Sequence, residues 1–296
     1  SINHFSIAWN DSLFMESWEV KCVSDTRPPF YEITEVKPLN NATPHALFID
    51  LGASASDVWV MNDGYWGIAV TEGQRYNFQF YLFTEELKNT VVTAALLDRE
   101  EQIVVSKNFQ IERDGSWNHY EGTFTVDTTA NDLRFALLLP HKGKVYIDFV
   151  SMFPENTFCG HKNGLREDVA GMLRDLRPDF VRWPGGCIVE GLTMDNRIKW
   201  KETIGDIVKR PGEYNLWGYR STYGFGYHEF LQFCEDIDAD GMFVCNAGMS
   251  CLFRNGDYWE EENRIDNLIQ DALDAIEYAL GDTTTVYGKR RAENGH

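Results

Sequence analysis

The feature that most constrains this chain is a change in hydrophobic periodicity close to residue 155. Between about residues 28 and 155, apolar residues alternate with polar ones or form short runs, and Gly, Asp and Asn separate the runs. This pattern is typical of short β-strands joined by turns. The clearest segments are 58–61, 76–82, 91–97, 103–105, 120–126, 133–139 and 144–150. Seven short strands at this spacing predict an antiparallel β-sandwich.

The segment that follows has the pattern of alternating helices and strands. Helical stripes at 165–176, 227–237 and 265–280 alternate with short apolar strands at 180–183 and 242–246, which predicts a parallel α/β fold. A complete eightfold barrel takes about 250 residues, whereas 139 residues run from Phe158 to the end. The sequence therefore predicts either a small open α/β domain or part of a barrel. We expect its charged last residues, 288–296, to be unstructured.

Charge and composition exclude several classes of function. The net charge of −19 disfavours contact with a phosphate backbone, so we predict no nucleic-acid partner. No run of 18 apolar residues is present, so we predict no membrane span. The aromatic content of 14% leaves neutral ligands such as sugars open.

The six cysteines predict neither a metal site nor a disulfide scaffold. No Cys-x-x-Cys pair occurs, and Cys245 and Cys251 are six residues apart with no His cluster nearby. Free, buried thiols are therefore expected. Cys187 has no His in a pattern that would make it a nucleophile. Asn41 begins a single glycosylation sequon, which is weak evidence of secretion.

The strongest local candidate for chemistry is the segment 182–187, Arg-Trp-Pro-Gly-Gly-Cys. Arg182 lies at the end of a predicted strand, where α/β barrels place their active sites, and it would orient a carboxylate or a sugar hydroxyl. The alternative is a buried ion pair. Asn246 follows the next strand as a second candidate, and a structural loop Asn is the alternative there.

An aromatic stretch between residues 200 and 227 is the other candidate for ligand contact. Trp217 and Tyr219 stand beside Asn215 in a segment with no helical stripe. Aromatic rings suit the C–H faces of sugars, although such a loop could equally be tied to the core by its own rings.

No convincing pair of catalytic carboxylates is visible. A glycosidase needs two, about 5 to 10 Å apart. The available residues are Glu190, Glu229, Glu293 and the run 260–262, and we expect Glu229 to lie inside a helix and the run to open one.

Taken in order, these motifs resemble glycoside hydrolase family 51, the α-L-arabinofuranosidases, in the subgroup with an inserted carbohydrate-binding-like β-sandwich. The resemblance runs from about residue 59 to 292. Its matching stretches are 66–70, 145–154, 163–166, 180–191, 200–205, 215–221, 226–230 and 245–250. The segments 182–187 and 215–219 are the most specific. Residues 238–241 and 246–248 depart from the usual family pattern.

The resemblance implies a retaining hydrolase with two catalytic Glu residues and no cofactor or metal. Neither catalytic motif is present here. The acid/base Glu is expected in an Asn-Glu pair after His296, and residues 14–18 are a diverged candidate for the segment after the first barrel strand. The chain therefore looks like an interior fragment that is inactive by itself.

Residue by residue, the resemblance assigns substrate binding to Arg182, Cys187, Trp217 and Asn246. It implies three regions: an N-terminal segment, 1–27, derived from the barrel; a jelly-roll sandwich, 28–155; and part of a (β/α)8 barrel, 156–296. The implied partner is an arabinose-containing polysaccharide or oligosaccharide. An oligomeric full-length enzyme stays open, and an extracellular or periplasmic location is slightly favoured over a cytoplasmic one.

Two alternatives from other classes remain at this point. The sandwich could bind a glycan by itself, with the rest as scaffold. Alternatively, the chain could be an inactive pseudoenzyme that ends at His296. A half barrel would expose sheet edges and apolar surface, so we expect poor solubility or assembly with a partner.

Overall fold

The computed structural model describes residues 18–24, 27–64 and 66–296, and it divides into two compact units. The first unit is Ser1–Ala170 and the second is Gly171–His296. Residues 14–17, predicted to follow a barrel strand, lie outside the described residues. Trp18 begins a strand that pairs with the sandwich, so this sheet extends N-terminally beyond the predicted start at residue 28.

The first unit is built from two antiparallel sheets. The described strands are β1 (Trp18–Cys22), β2 (Phe30–Thr34), β3 (Ala46–Asp50), β4 (Val58–Asn62), β5 (Ile68–Val70), β6 (Arg75–Glu85), β7 (Val91–Leu97), β8 (Ile103–Gln110), β9 (Trp117–Thr125), β10 (Ala130–Leu139) and β11 (Lys144–Pro154). One sheet has the order β1-β4-β10-β7-β8, with β5 paired to β10, and the other has the order β2-β3-β11-β6-β9. The predicted β-sandwich is confirmed.

Alternation along the strands explains why the two sheets pack face to face. In β6, Tyr76, Phe78, Phe80 and Leu82 are buried at every second position. These side chains join one hydrophobic cluster with residues of both sheets, such as Leu137 of β10. Each sheet therefore contributes one apolar face to a common core.

The second unit begins within α1 (Glu167–Asp175), which crosses the division between the units. Its further elements are β12 (Phe180–Trp183), α2 (Cys187–Glu190), β13 (Glu213–Tyr214), β14 (Arg220–Ser221), α3 (Tyr227–Asp236), β15 (Asp240–Phe243), α4 (Glu262–Leu280) and α5 (Val286–Glu293). β12 and β15 pair in parallel, with Phe180 opposite Asp240 and Trp183 opposite Phe243. The predicted parallel α/β character of this segment is confirmed.

An aromatic core holds this unit together. Trp200, Tyr227, Phe230 and Tyr278 are buried in one cluster. Trp183 packs on it, with its ring 5.7 Å from that of Phe230 and 5.9 Å from that of Tyr227. The helices α3 and α4 are thereby fixed against the two strands.

The expectation of an unstructured end at residues 288–296 is wrong, because most of it belongs to α5. The Thr285 hydroxyl caps this helix by accepting a hydrogen bond from the backbone N–H of Gly288 at 3.1 Å. Arg291 then donates to the carbonyl oxygens of Tyr278 and Ala279 at the end of α4, at 2.7 and 2.6 Å. These contacts are made across the tertiary structure, so charge and polarity along the sequence did not reveal them.

Among the described residues, no helix has the length and apolar character required to cross a membrane.

Candidate functional site

Arg182 stands near the carboxyl end of β12 with an exposed side chain. No hydrogen bond or ion pair to its guanidinium is found among the described residues, so the buried ion pair considered from sequence is not formed. Gly185 leaves room for the Arg182 guanidinium, because a Cβ atom on residue 185 would lie only 2.9 Å from the Arg182 Nε. Gly185 also has a φ of +68°, which favours glycine.

Cys187 follows this turn as the first residue of α2 and is half-buried. Its Sγ lies 3.4 Å from the Sγ of Cys251, which comes from the loop after β15. The Glu190 carboxylate completes a cluster in which the three potential ligand atoms lie within 4.8 Å of one another. The sequence argument against a metal site considered only neighbouring cysteines and therefore missed this meeting of distant residues.

Asn246 ties the loop after β15 to α2. Its amide nitrogen donates to the carbonyl oxygens of Val189 at 3.0 Å and Met249 at 2.9 Å. Its Oδ1 accepts from the backbone N–H of Gly248 at 2.6 Å. Both amide hydrogens are thus used, one on α2 and one within the loop.

Trp217 occupies the tip of the hairpin formed by β13 and β14. Its backbone N–H donates to the Oδ1 of Asn215 at 2.9 Å. The indole is 49% exposed and Tyr219 is 53% exposed. Their rings are nearly parallel, with centroids 6.5 Å apart. The pair therefore presents aromatic surface to solvent and is not held in the core by its rings.

Asn196 connects this hairpin to the segment after α2, and sequence reasoning did not single it out. Its Nδ2 donates to the Glu213 carboxylate and to the Tyr214 carbonyl oxygen, each at 2.8 Å. Its Oδ1 accepts from the backbone N–H of Leu192 at 3.0 Å. Burial raises the pKa of the Glu213 carboxyl. The sequence analysis did not single out this residue either.

These contacts bring three of the four predicted residues to one end of the short sheet. β12 and β15 are parallel, so Arg182 and the loop bearing Asn246 lie at the same end of the sheet, where both strands end. The hydrogen bond from Asn246 to Val189 places that loop beside the helix that Cys187 begins. Trp217 lies in the hairpin that Asn196 connects to the segment after this helix.

Glu229, one of the carboxylates considered for catalysis, has a structural role. Its two oxygens accept from the buried Arg210 guanidinium at 2.7 and 3.0 Å. The same side chain caps α3 by accepting from the backbone N–H of Gly226 at 2.9 Å. As predicted, it lies inside a helix, and Glu262 begins α4.

A polar cleft of about 610 Å³ lies in the first unit, where β6 and β9 form one wall. Side chains pair across these strands: Thr123 donates to the Asn77 Oδ1 at 2.7 Å, and His119 bonds to the Gln79 Oε1 at 2.9 Å. Tyr81 stacks on the His119 ring at 4.6 Å. The cleft thus offers amides, a hydroxyl and an imidazole, which are groups that suit sugar hydroxyls.

Comparison with known families assigns the two parts of the chain. Residues 172–296 match the family described as "Alpha-L-arabinofuranosidase 1 domain", and residues 53–143 match "Carbohydrate binding domain". The arabinose-bound GH51 α-L-arabinofuranosidase MgGH51 aligns with 95% of this chain at a TM-score of 0.84 and 27% sequence identity. This chain is related to the family 51 α-L-arabinofuranosidases. The predicted sandwich followed by part of a barrel is thereby confirmed.

Curated relatives that are named α-L-arabinofuranosidases support the same relationship. An "Extracellular exo-alpha-L-arabinofuranosidase" of Streptomyces chartreusis is 36% identical over 84% of this chain and 30% of its own length. "Alpha-L-arabinofuranosidase 1" of Arabidopsis thaliana is 35% identical over 82% of this chain and 35% of its own length. "Alpha-L-arabinofuranosidase A" of Aspergillus niger is 32% identical over 87% of this chain and 42% of its own length. The chain therefore spans about a third of the length of its curated relatives, and 45% of MgGH51.

Proposed function

We propose that this chain is part of an exo-acting, retaining α-L-arabinofuranosidase that releases terminal L-arabinofuranose from hemicellulose or pectin side chains. The observation that carries the proposal is the Arg182 guanidinium at the carboxyl end of β12, which has no hydrogen-bond or ion-pair partner among the described residues. In barrels, this end of the strands holds the active site. The relationship to family 51 supports the choice of sugar.

Each of the four predicted residues receives a role in this proposal. Arg182 donates to a sugar hydroxyl or orients a catalytic carboxylate, because its planar fork suits both. Cys187 faces the same subsite, and exposed Trp217 offers an apolar face to the furanose. Asn246 acts mainly by holding the loop, since its amide hydrogens are already used. No metal or cofactor takes part.

Catalysis would proceed by double displacement. One carboxylate forms the glycosyl-enzyme and the other serves as acid and then base, at a separation of about 5 to 5.5 Å. Glu229 is committed to Arg210 and Glu190 to the cysteine cluster. We therefore assign both catalytic carboxylates to parts of the whole enzyme outside these 296 residues. We expect the 296-residue polypeptide to release no nitrophenol from 4-nitrophenyl α-L-arabinofuranoside.

The test of the sugar site is the conservative exchange Arg182→Lys in the whole enzyme. It keeps the charge and removes the bidentate fork, so kcat/KM for the aryl arabinofuranoside should fall about 100-fold, as expected when a group that positions the substrate is lost. Arg177→Lys, at an exposed position before the same strand, is the matched control and should leave kcat/KM unchanged. Equal activity of the two variants would refute the role of Arg182, and a preference for another glycoside would refute the choice of sugar.

We propose a second function for the first unit, namely binding of a glycan in its polar cleft. The cleft volume of about 610 Å³ and the side-chain pairs across β6 and β9 support it, as does the match to a carbohydrate-binding domain. Calorimetric titration of the 296-residue chain with arabinoxylan oligosaccharides tests it. Gln79→Ala should abolish the heat of binding. Asn108→Ala, which removes a similar pair with Thr93 on the other sheet, should not.

We also propose an extracellular or periplasmic location. The printed name of the Streptomyces relative includes the word extracellular, and Asn41 of the sequon is exposed. Whether the whole enzyme is a homo-oligomer stays a prediction.

A further inference from the structure

The cysteine cluster combines two thiols and one carboxylate from two separate segments. Cys187 and Glu190 are the first and last residues of α2. Cys251 lies 64 positions along the chain from Cys187 and is only 3% exposed. All three belong to the second unit, and nothing in the proposed hydrolysis uses Glu190 or Cys251.

Backbone hydrogen bonds hold the two segments together independently of the thiols. The N–H of Cys251 donates to the carbonyl oxygen of Gly191 at 3.1 Å, directly after α2. The preceding residue, Ser250, donates to the Asp257 carbonyl oxygen at 2.7 Å, and the Asp257 carboxylate accepts from Met194 at 3.0 Å. The ligand atoms are therefore brought together by the fold and need not be gathered by an ion.

The separation of the two sulfur atoms fits a shared ion better than a covalent bond. With Zn–S bonds of about 2.3 Å and tetrahedral angles, two thiolates on one zinc ion lie about 3.8 Å apart. The observed distance between the two sulfur atoms is 3.4 Å, so this pair would need to open by only a few tenths of an ångström. A disulfide of about 2.05 Å would require a much larger approach.

We propose that Cys187, Glu190 and Cys251 form a binding site for a thiophilic divalent cation of the zinc class. Two thiolates and one carboxylate supply three ligands, and water would complete a tetrahedron on the side where Cys187 and Glu190 are partly exposed. The site joins α2 to the loop after β15, so occupancy would stabilise the second unit. This proposal does not depend on the arabinofuranosidase assignment, because its test reads binding and not hydrolysis.

The two thiols also interact with each other, because the Cys251 thiol donates a hydrogen bond to the Cys187 Sγ. Hydrogen bonding with Cys187 and burial raise the pKa of the Cys251 thiol, and Glu190 acts in the same direction.

The test titrates the reduced 296-residue chain with Cd²⁺, whose bonds to thiolate absorb in the near ultraviolet, and then displaces it with Zn²⁺. We expect one equivalent to bind with thiolate absorption, and to raise the temperature at which the second unit unfolds. Cys187→Ser and Cys251→Ser should each remove this absorption. Glu190→Gln should keep the absorption but weaken binding by more than about tenfold, since even residues outside the ligand set cost that much.

Cys245→Ser is the matched control, because this cysteine is exposed and outside the cluster, and it should bind as the unchanged chain does. Equal Cd²⁺ absorption in Cys187→Ser and the unchanged chain would overturn the proposal. If a thiol assay shows that all six cysteines are reduced and Cd²⁺ still does not bind, the proposal is also overturned. Far-ultraviolet circular dichroism checks folding. If Cys251→Ser is unfolded, the half-buried Cys187→Ser carries the test.

Discussion

At the scale of single residues, the most consequential contacts join residues that are distant in sequence. Arg210 is 4% exposed and has the Glu229 carboxylate as its charge partner, 19 positions away. The sequence places Glu229 in a helix, but the role of its charge depends on what packs against that helix. The same is true of Cys251, whose partner Cys187 follows a different strand.

Removing the charge of Glu229 should destabilise the second unit substantially. Glu229→Gln leaves the buried Arg210 guanidinium without a counter-ion and weakens the cap on Gly226. We expect a loss of about 3 kcal/mol, typical of breaking one side of a buried pair. Urea unfolding measures it. Glu235→Gln, on the same helix but exposed and paired with the exposed His296, should change stability by less than about 1 kcal/mol. Similar losses in both variants would contradict this role.

A buried carboxyl in the sandwich makes stability depend on pH. Burial raises the pKa of Asp148 well above its ordinary value of 3.8. Its Oδ1 accepts from the Phe149 N–H at 2.7 Å, whereas its Oδ2 has no hydrogen-bond partner among the described residues. The folded state therefore holds the proton more tightly than the unfolded state. This stabilisation is fully present below pH 3.8 and is lost as the pH rises through the folded pKa.

Asp148→Asn should remove that loss. Relative to the variant, the unchanged protein should lose up to about 1.4 kcal/mol per pH unit between pH 3.8 and the folded pKa of Asp148. Unfolding by urea at a series of pH values measures the difference. Parallel curves for the two proteins would show that Asp148 is not the group responsible.

At the scale of elements, periodicity predicted the positions of most long strands and helices, although β8 continues to Gln110, beyond its predicted end at residue 105. β7 and β12 begin and end where the apolar pattern predicts, and α3 differs by one residue at its end. Burial on one face produces this periodicity, so it can be recognised in the sequence. Two elements that lack it were missed: β2 is largely exposed, and α5 is polar and held mainly by contacts to α4. The strand β3 was missed as well, although Ala46, Leu47 and Ile49 are buried.

The stability of helix α5 should depend on the hydrogen bond that caps its first turn. Thr285→Ala removes the hydroxyl that accepts from the Gly288 N–H, and such caps contribute about 1 kcal/mol. We expect faster hydrogen exchange of the α5 amides, measured by mass spectrometry. Thr283→Ala, exposed and two residues earlier, should leave exchange unchanged. Protection that survives in Thr285→Ala would show that contacts to α4 are sufficient.

At the scale of the whole molecule, the second unit leaves apolar surface uncovered. Met172 and Leu176 at α1 are 67% and 75% exposed, and Ile276 and Leu280 of α4 are 56% and 80% exposed. The β12–β15 sheet has two strands. In a (β/α)8 barrel, further strands and helices would pack on such surfaces. The exposure agrees with a chain that spans about a third of its curated relatives.

We therefore expect the 296-residue chain to self-associate through these helix faces. Replacing Leu176 and Leu280 together by Lys should shift the sedimentation coefficient toward that of the monomer. Ile103→Lys, at a similarly exposed position of the sandwich, is the control and should not do so. A monomeric unchanged chain at high concentration would contradict this expectation.

The sequence by itself determined the two kinds of structure, the change between them near residue 155 and the family relationship, because these depend on local periodicity and on short motifs. It also identified Arg182 at a strand end. The tertiary structure decided that Arg182 has no partner in the part of the chain that the structure describes, that Glu229 is bound by Arg210, that Asn246 holds a loop and that Cys187 meets Cys251. These outcomes depend on which distant segments pack together, and hydrophobic periodicity carries no record of such partners.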